Sequence, residues 1–205
     1  RGRHVFAHKC SSCHGKKGRG DGPAREYLGR LPADLGKGVF KLRSTPKGSL
    51  PTDEDLYRTI TRGMGVGGMP SFARLGEEDR WALVAYVKTL SPRFKSEAPG
   101  EVLSVPLPPA HPSAQEGKHL FLLAGCSKCH GEAGRGDGPK ARGLTDYARK
   151  VLLVPDFGSA YRFIGGESPR AVYRTIMTGI DGTPMPQGED FFEPEEAWNV
   201  VEYIR

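Results

Sequence analysis

All four cysteines of this chain fall in two copies of one short pattern, Cys10-Ser11-Ser12-Cys13-His14 and Cys126-Ser127-Lys128-Cys129-His130. The thiols of a C-x-x-C-H segment can add across the vinyl groups of a haem, and the adjoining imidazole is then placed to ligate the iron. Cys10 with Cys13 and Cys126 with Cys129 are therefore candidate attachment points for two haem c groups. His14 and His130 are the candidate iron ligands on one face. Paired C-x-x-C elements also bind zinc, but at separations of about 15–20 residues, and these copies lie 116 apart. Two disulfides would leave both adjoining histidines without a role.

A low-spin electron-transfer haem needs a second axial ligand from the opposite face. Of the methionines Met64, Met69, Met177 and Met185, only Met69 and Met185 occupy matching positions, each 55 residues after its histidine and directly before proline. These two are the candidate sulfur ligands. A thioether favours ferrous iron and raises the reduction potential. Met64 aligns with Ile180 and Met177 with Thr61, so both read as packing residues. His4 and His119 share a helix with the attachment cysteines and face away from the distal side. His8 and His111 have no repeat partner, and all four read as surface or packing residues.

The elements that must position these groups repeat as well. The run from Cys13-His14-Gly15 through Gly18-Arg19-Gly20-Asp21-Gly22-Pro23 recurs at an offset of 116, as do Tyr57-Arg58-Thr59-Ile60 and Met69-Pro70. Near the end the offset becomes 117, matching Trp81, Val84, Tyr86 and Val87 with Trp198, Val201, Tyr203 and Ile204. Apolar periodicity predicts a helix over 3–13 and its counterpart over 115–129, with Leu120 and Phe121 matching Val5 and Phe6. Thr52 caps a second helix ending at Gly63, and Ser168-Pro169 opens its equivalent, ending at Gly179. Third helices are expected over 77–90 and from about 194 onward. Without period-2 strand patterning, the fold class is all-α. The expected organisation is a haem domain over 1–92, a Pro-rich linker over 93–112 and a second haem domain over 113–205. The linker region favours an extended strap lying along the domains.

The Gly-Arg-Gly-Asp-Gly-Pro run lacks the Gly-Lys-Ser/Thr of a phosphate loop and reads instead as a turn at the haem edge. The carbonyl of Pro23 or Pro139 is expected to accept the Nδ1–H of the preceding histidine. Arg58, Arg174, Lys41 and Arg162 are candidates to neutralise propionates, with plain solvated charge as the alternative.

With 37% hydrophobic residues, 28 glycines and 17 prolines, each half has little core of its own and needs a staple such as a covalent haem. No stretch approaches a membrane span. No export segment or anchor is visible, but the chain starts at Arg1 and not at Met, which is compatible with removal of one. Residues 1–95 carry 19 Lys/Arg against 9 Asp/Glu, and residues 96–205 carry 11 against 15. That bipolarity suits an acidic partner at the first half and a basic one at the second. The scattered cations without an aromatic stripe speak against nucleic acid.

Each half, with its C-x-x-C-H, its glycine-rich loop, its Tyr-Arg-Thr-Ile helix and its Met-Pro loop, resembles a class I cytochrome c domain. The doubled arrangement is similar to the dihaem, two-domain cytochromes c of bacteria. The resemblance implies a helical fold around each haem, a periplasmic or otherwise extracytoplasmic location, and one-electron transfer between redox proteins in a respiratory chain. It also implies that the first and last helices of each domain cross, bringing Phe6 near Tyr86 and Phe121 near Tyr203. The expected function is an electron carrier without catalytic residues. The alternatives are the haem subunit of a larger respiratory complex at a membrane, or a dihaem peroxidase-type enzyme. Thiosulfate dehydrogenases of this general type need a cysteine ligand, and none is spare here.

Overall fold

In the computed structural model the described residues are 1–29, 31–65, 68–159 and 163–205. They form two compact units, Arg1–Val102 and Leu103–Arg205. Both are helical, and among the described residues only two isolated bridges, Leu50 to Pro99 and Thr145 to Val151, resemble strand pairing. No helix among them is long and apolar enough to cross a membrane.

The first unit contains α1 (Gly2–Lys9), α2 (Ser11–His14), α3 (Asp53–Arg62), α4 (Glu77–Leu90) and α5 (Arg93–Ser96). The expected helix over 3–13 is thus two pieces. Cys10 sits at φ −121°, outside helical geometry, and lets the cysteine–histidine turn start in a new direction. Thr52 caps α3 through a reciprocal box in which its hydroxyl accepts from the amide of Asp55 while the Asp55 carboxylate accepts from the amide of Thr52. Leu56 and Ile60 of α3 and Leu83, Val84 and Val87 of α4 lie one helical turn apart and bury together with Phe6. Arg93 donates to the carbonyls of Gly38 and Gly48, fastening the chain after α4 to this unit.

The second unit contains α6 (Ala114–Leu123), α7 (Ser127–His130), α8 (Pro169–Thr178) and α9 (Pro194–Ile204). Here the break before the cysteines is a turn through Gly125 at φ +75°, a conformation that suits glycine. Ser168 caps α8 and accepts from the amide of Ala171, with Pro169 in the first turn. The core joins Leu120 and Phe121 of α6, Val172, Tyr173 and Met177 of α8, and Ala197, Trp198, Val200, Val201 and Ile204 of α9. Leu103 and Val105 pack against it, and Arg170 donates to the Val105 carbonyl.

In each unit the first helix crosses a late one, α1 with α4 and α6 with α9, which agrees with the crossing that the resemblance implied. The Phe6 and Tyr86 rings lie 5.1 Å apart and the Phe121 and Tyr203 rings 5.4 Å apart. The crossing depends on a glycine at closest approach. A Cβ on Gly2 would lie 2.0 Å from the Ala82 carbonyl oxygen, and one on Gly117 1.9 Å from that of Asn199. Helix backbones touch at these two points, where no side chain fits between them.

Candidate functional site

Each cysteine–histidine segment is held by the glycine turn that follows it. In the first unit the amide of Gly20 donates to the His14 carbonyl at 2.8 Å and that of Gly22 to the Cys13 carbonyl at 3.2 Å. In the second, Gly136 donates to the His130 carbonyl at 2.8 Å. Gly15 and Gly131 sit at φ +79° and +77°, and a Cβ on either would collide with the carboxylate of Asp21 or Asp137. The glycines of the repeat therefore fold the loop back onto the backbone of the histidine it follows.

None of the four cysteines is in a disulfide, and all are half-buried. Burial, and to a lesser degree the neighbouring Cys13, pushes the Cys10 thiol up to about 11. Burial also lifts Cys126 to about 11. Burial therefore disfavours the thiolate, the nucleophilic form, at both positions. Burial lowers His130 to about 4, which keeps its imidazole neutral, with a lone pair on one ring nitrogen available to a metal.

The two imidazoles differ in their surroundings. His14 Nδ1 lies 3.3 Å from the carbonyl oxygen of Ala33, to which it donates. The expectation that Pro23 would accept this hydrogen bond is corrected: residues 23–27 leave the turn as a short 3-10 helix, and a later loop supplies the acceptor. In the second unit the His130 ring stacks on Phe157 at 4.8 Å. Its Nδ1 is shut off from solvent and has no hydrogen-bond partner among the described residues, Pro139 included.

The loop bearing Ala33 exposes a repeat that the sequence alignment missed. Leu35 donates its amide to the Gly18 carbonyl at 2.7 Å, and Phe157 donates to Gly134 at 2.8 Å. Asp34 accepts from the amide of Gly36, and Asp156 from that of Gly158. Ala33-Asp34-Leu35-Gly36 and Pro155-Asp156-Phe157-Gly158 are therefore structural equivalents at an offset of 122. The Asp-x-Gly pair was the available signal. It was hidden by six extra residues, among them the turn in which Asp146 pairs with Lys150 and Leu152 with Leu144 through the backbone.

The Met-Pro loops follow α3 and α8 in the same way. Gly63 and Gly179, at φ +73° and +65°, end the helices so closely against Met69-Pro70 and Pro186 that a Cβ would sit 2.5 Å from a backbone oxygen of each loop. The amide of Met64 donates to the Met69 carbonyl at 2.9 Å, and that of Met185 to the Thr183 hydroxyl at 3.2 Å. Met69 and Cys10 both pack, half-buried, against the first core. Met177 lies inside the second core, where it and Ala197 occupy the positions of Thr61 and Arg80, which hydrogen-bond to each other in the first unit.

Arg58 does not stand free for a propionate. It pairs with the buried carboxylate of Asp55, which also accepts from the amide and hydroxyl of Ser44. Arg162 and Tyr161 lie outside the described residues. His4 and His8 are exposed on α1 with their rings 4.3 Å apart.

The donor set fits a covalent haem: paired free thiols one turn apart, an imidazole directly after them, an orphaned buried nitrogen on that imidazole in the second unit, and a thioether on a closed loop. Comparison with known proteins agrees. Residues 1–87 match the family described as cytochrome C oxidase, cbb3-type, subunit III, and residues 114–205 match the family cytochrome c. Among solved structures, a chain of the Kuenenia stuttgartiensis reducing HAO-like protein complex Kustc0457/Kustc0458 is 37% identical, with a TM-score of 0.94. The match covers 99% of this chain and 93% of that one. No curated protein matches the sequence. The chain belongs to the cytochrome c family: it is an electron-transfer protein of two tandem cytochrome c domains, which imply haem c.

Proposed function

We propose that each unit holds one haem c and that single electrons pass between redox partners through the pair. Cys10 and Cys13 would anchor the first haem and Cys126 and Cys129 the second. His14 with Met69, and His130 with Met185, would be the iron ligands. The haem supplies reversible one-electron chemistry at its iron. The chain's own residues do the rest. The glycine turns hold each histidine backbone, the α3 and α8 termini set each Met-Pro loop, and the buried aromatic crossings exclude water.

The observation that supports this reading is the recurrence of two features: the glycine turn that binds back to the histidine carbonyl, Gly20 to His14 and Gly136 to His130, and a helix-ending glycine set close against the Met-Pro loop. Such contacts would hold an imidazole and a sulfur donor in each unit. With both axial positions filled, neither iron would offer a site for substrate, so the reading is a carrier and not a peroxidase. The 93–112 segment would then be the joint between haem domains 1–92 and 113–205.

A permanent partner is the second reading. It is favoured by the similarity to a chain of a two-component HAO-like complex. The opposite net charges of the two halves suit it, with an acidic partner at the first and a basic one at the second. Location outside the cytoplasm follows the habit of c-type cytochromes.

A spectroelectrochemical titration of the intact protein tests the reading. Two one-electron waves with low-spin His/Met spectra are expected. A single haem, or a high-spin spectrum in the untreated protein, would end it.

A further inference from the structure

Among the described residues, His4 and His8 form a pair of potential metal ligands that neither haem site uses. His4 and His8 stand four residues apart on α1, so they share one face of the helix. Both side chains are exposed, and their ring centroids are 4.3 Å apart with the planes tilted by 44°. Two imidazole nitrogens bound to one ion at about 2.0–2.1 Å each need rings at about this separation. The orientation of His8 is also set. Its Nδ1 lies 2.8 Å from the His4 carbonyl oxygen, which can only accept, so Nδ1 carries the proton. Its Nε2 then keeps the lone pair, the arrangement in which a second hydrogen bond orients a metal-binding histidine.

We propose that His4 and His8 form a bidentate surface site for a divalent transition-metal ion, with solvent in the remaining positions. The neighbouring Arg3 and Lys9 repel any cation, which disfavours hard ions held by charge alone. Neutral imidazoles select instead along the Irving–Williams series, so Cu2+ is the preferred occupant and Zn2+ a weaker one. The site belongs to the first unit alone. On α6 the corresponding face carries His119, but Leu123 stands four residues on.

The test is calorimetric titration of the full holoprotein with Cu2+ and separately with Zn2+, together with the electron paramagnetic resonance of the Cu2+ form. One Cu2+ per chain is expected, with nitrogen coupling in its spectrum and with tighter binding than Zn2+. His8→Leu, which copies the second unit, and His4→Gln should each weaken Cu2+ at least tenfold while leaving the haem spectra unchanged. Absence of stoichiometric binding would overturn the proposal, as would two equal ions per chain. So would a His8→Leu protein that binds Cu2+ as tightly as the parent. None of these outcomes depends on how the haem irons are ligated.

Discussion

The backbone amide of Cys10 donates to the carbonyl of Phe6 at 2.9 Å, and that of Cys126 to the carbonyl of Phe121 at 3.0 Å, although four residues separate the first pair and five the second. Each phenylalanine is also the residue whose ring meets a tyrosine at the helix crossing. One hydrogen bond therefore ties the cysteine–histidine turn to the packed core in both units. The extra residue of the second unit is taken up at Gly125, leaving that tie intact. The attachment site is thus registered to the crossing point and not to the count of residues along the chain.

That crossing should be intolerant of side chains. Gly117→Val is expected to cost about 1–3 kcal/mol, the usual range for overpacking, because its Cβ would lie 1.9 Å from the Asn199 carbonyl oxygen. Urea denaturation followed by the far-ultraviolet signal measures it. Unchanged stability would mean that α6 and α9 do not touch there.

Asp55 is buried and accepts from Ser44, Thr52 and Arg58, so Asp55→Ala strands several donors at once. A loss of at least about 2 kcal/mol is expected from unsatisfied buried donors and the lost carboxylate half of the capping box. The same denaturation experiment reads it. The equivalent Ala171 marks a unit that never built this network, so Ala171→Gly should leave no comparable polar defect.

Met69→Ala and Met185→Ala should each change one haem and leave the other as it was. Removal of the thioether leaves a high-spin or replacement-ligand form whose potential is lower, by on the order of 100 mV or more, given the span that axial ligands command. Optical spectra and potentiometry check this. Parental spectra and potentials in both variants would remove these residues from the ligand set.

The unequal surroundings of the histidines predict an order of potentials. The hydrogen bond from His14 to Ala33 makes that imidazole more basic and so favours ferric iron. His130 lacks such a partner among the described residues and lies against Phe157 in an apolar setting, which favours the less charged ferrous form. The second haem should be reduced first, with an equilibrium bias of about tenfold, about 59 mV for one electron. Assigning the two waves with the methionine variants decides it, and the reverse order would show that the hydrogen bond does not govern the difference.

Much of this was written in the sequence, because covalent chemistry and backbone conformation are local. Cys-x-x-Cys-His, a glycine obliged to a positive φ beside Asp21, a cap at Thr52 and a glycine stop at Gly63 each depend on neighbours a few residues away. Their repetition exposed the duplication and the helical class. Other features needed the folded chain. The acceptor for His14 is Ala33, 19 residues on, in a stretch whose repeat was masked by an insertion. Arg58 turned to Asp55 because a buried carboxylate demands a partner more strongly than solvent rewards a free guanidinium. Gly2 and Gly117 became crossing points only when a distant helix was laid against them. Spacing in sequence names the groups able to do chemistry, while contacts between remote segments decide which atom each one faces.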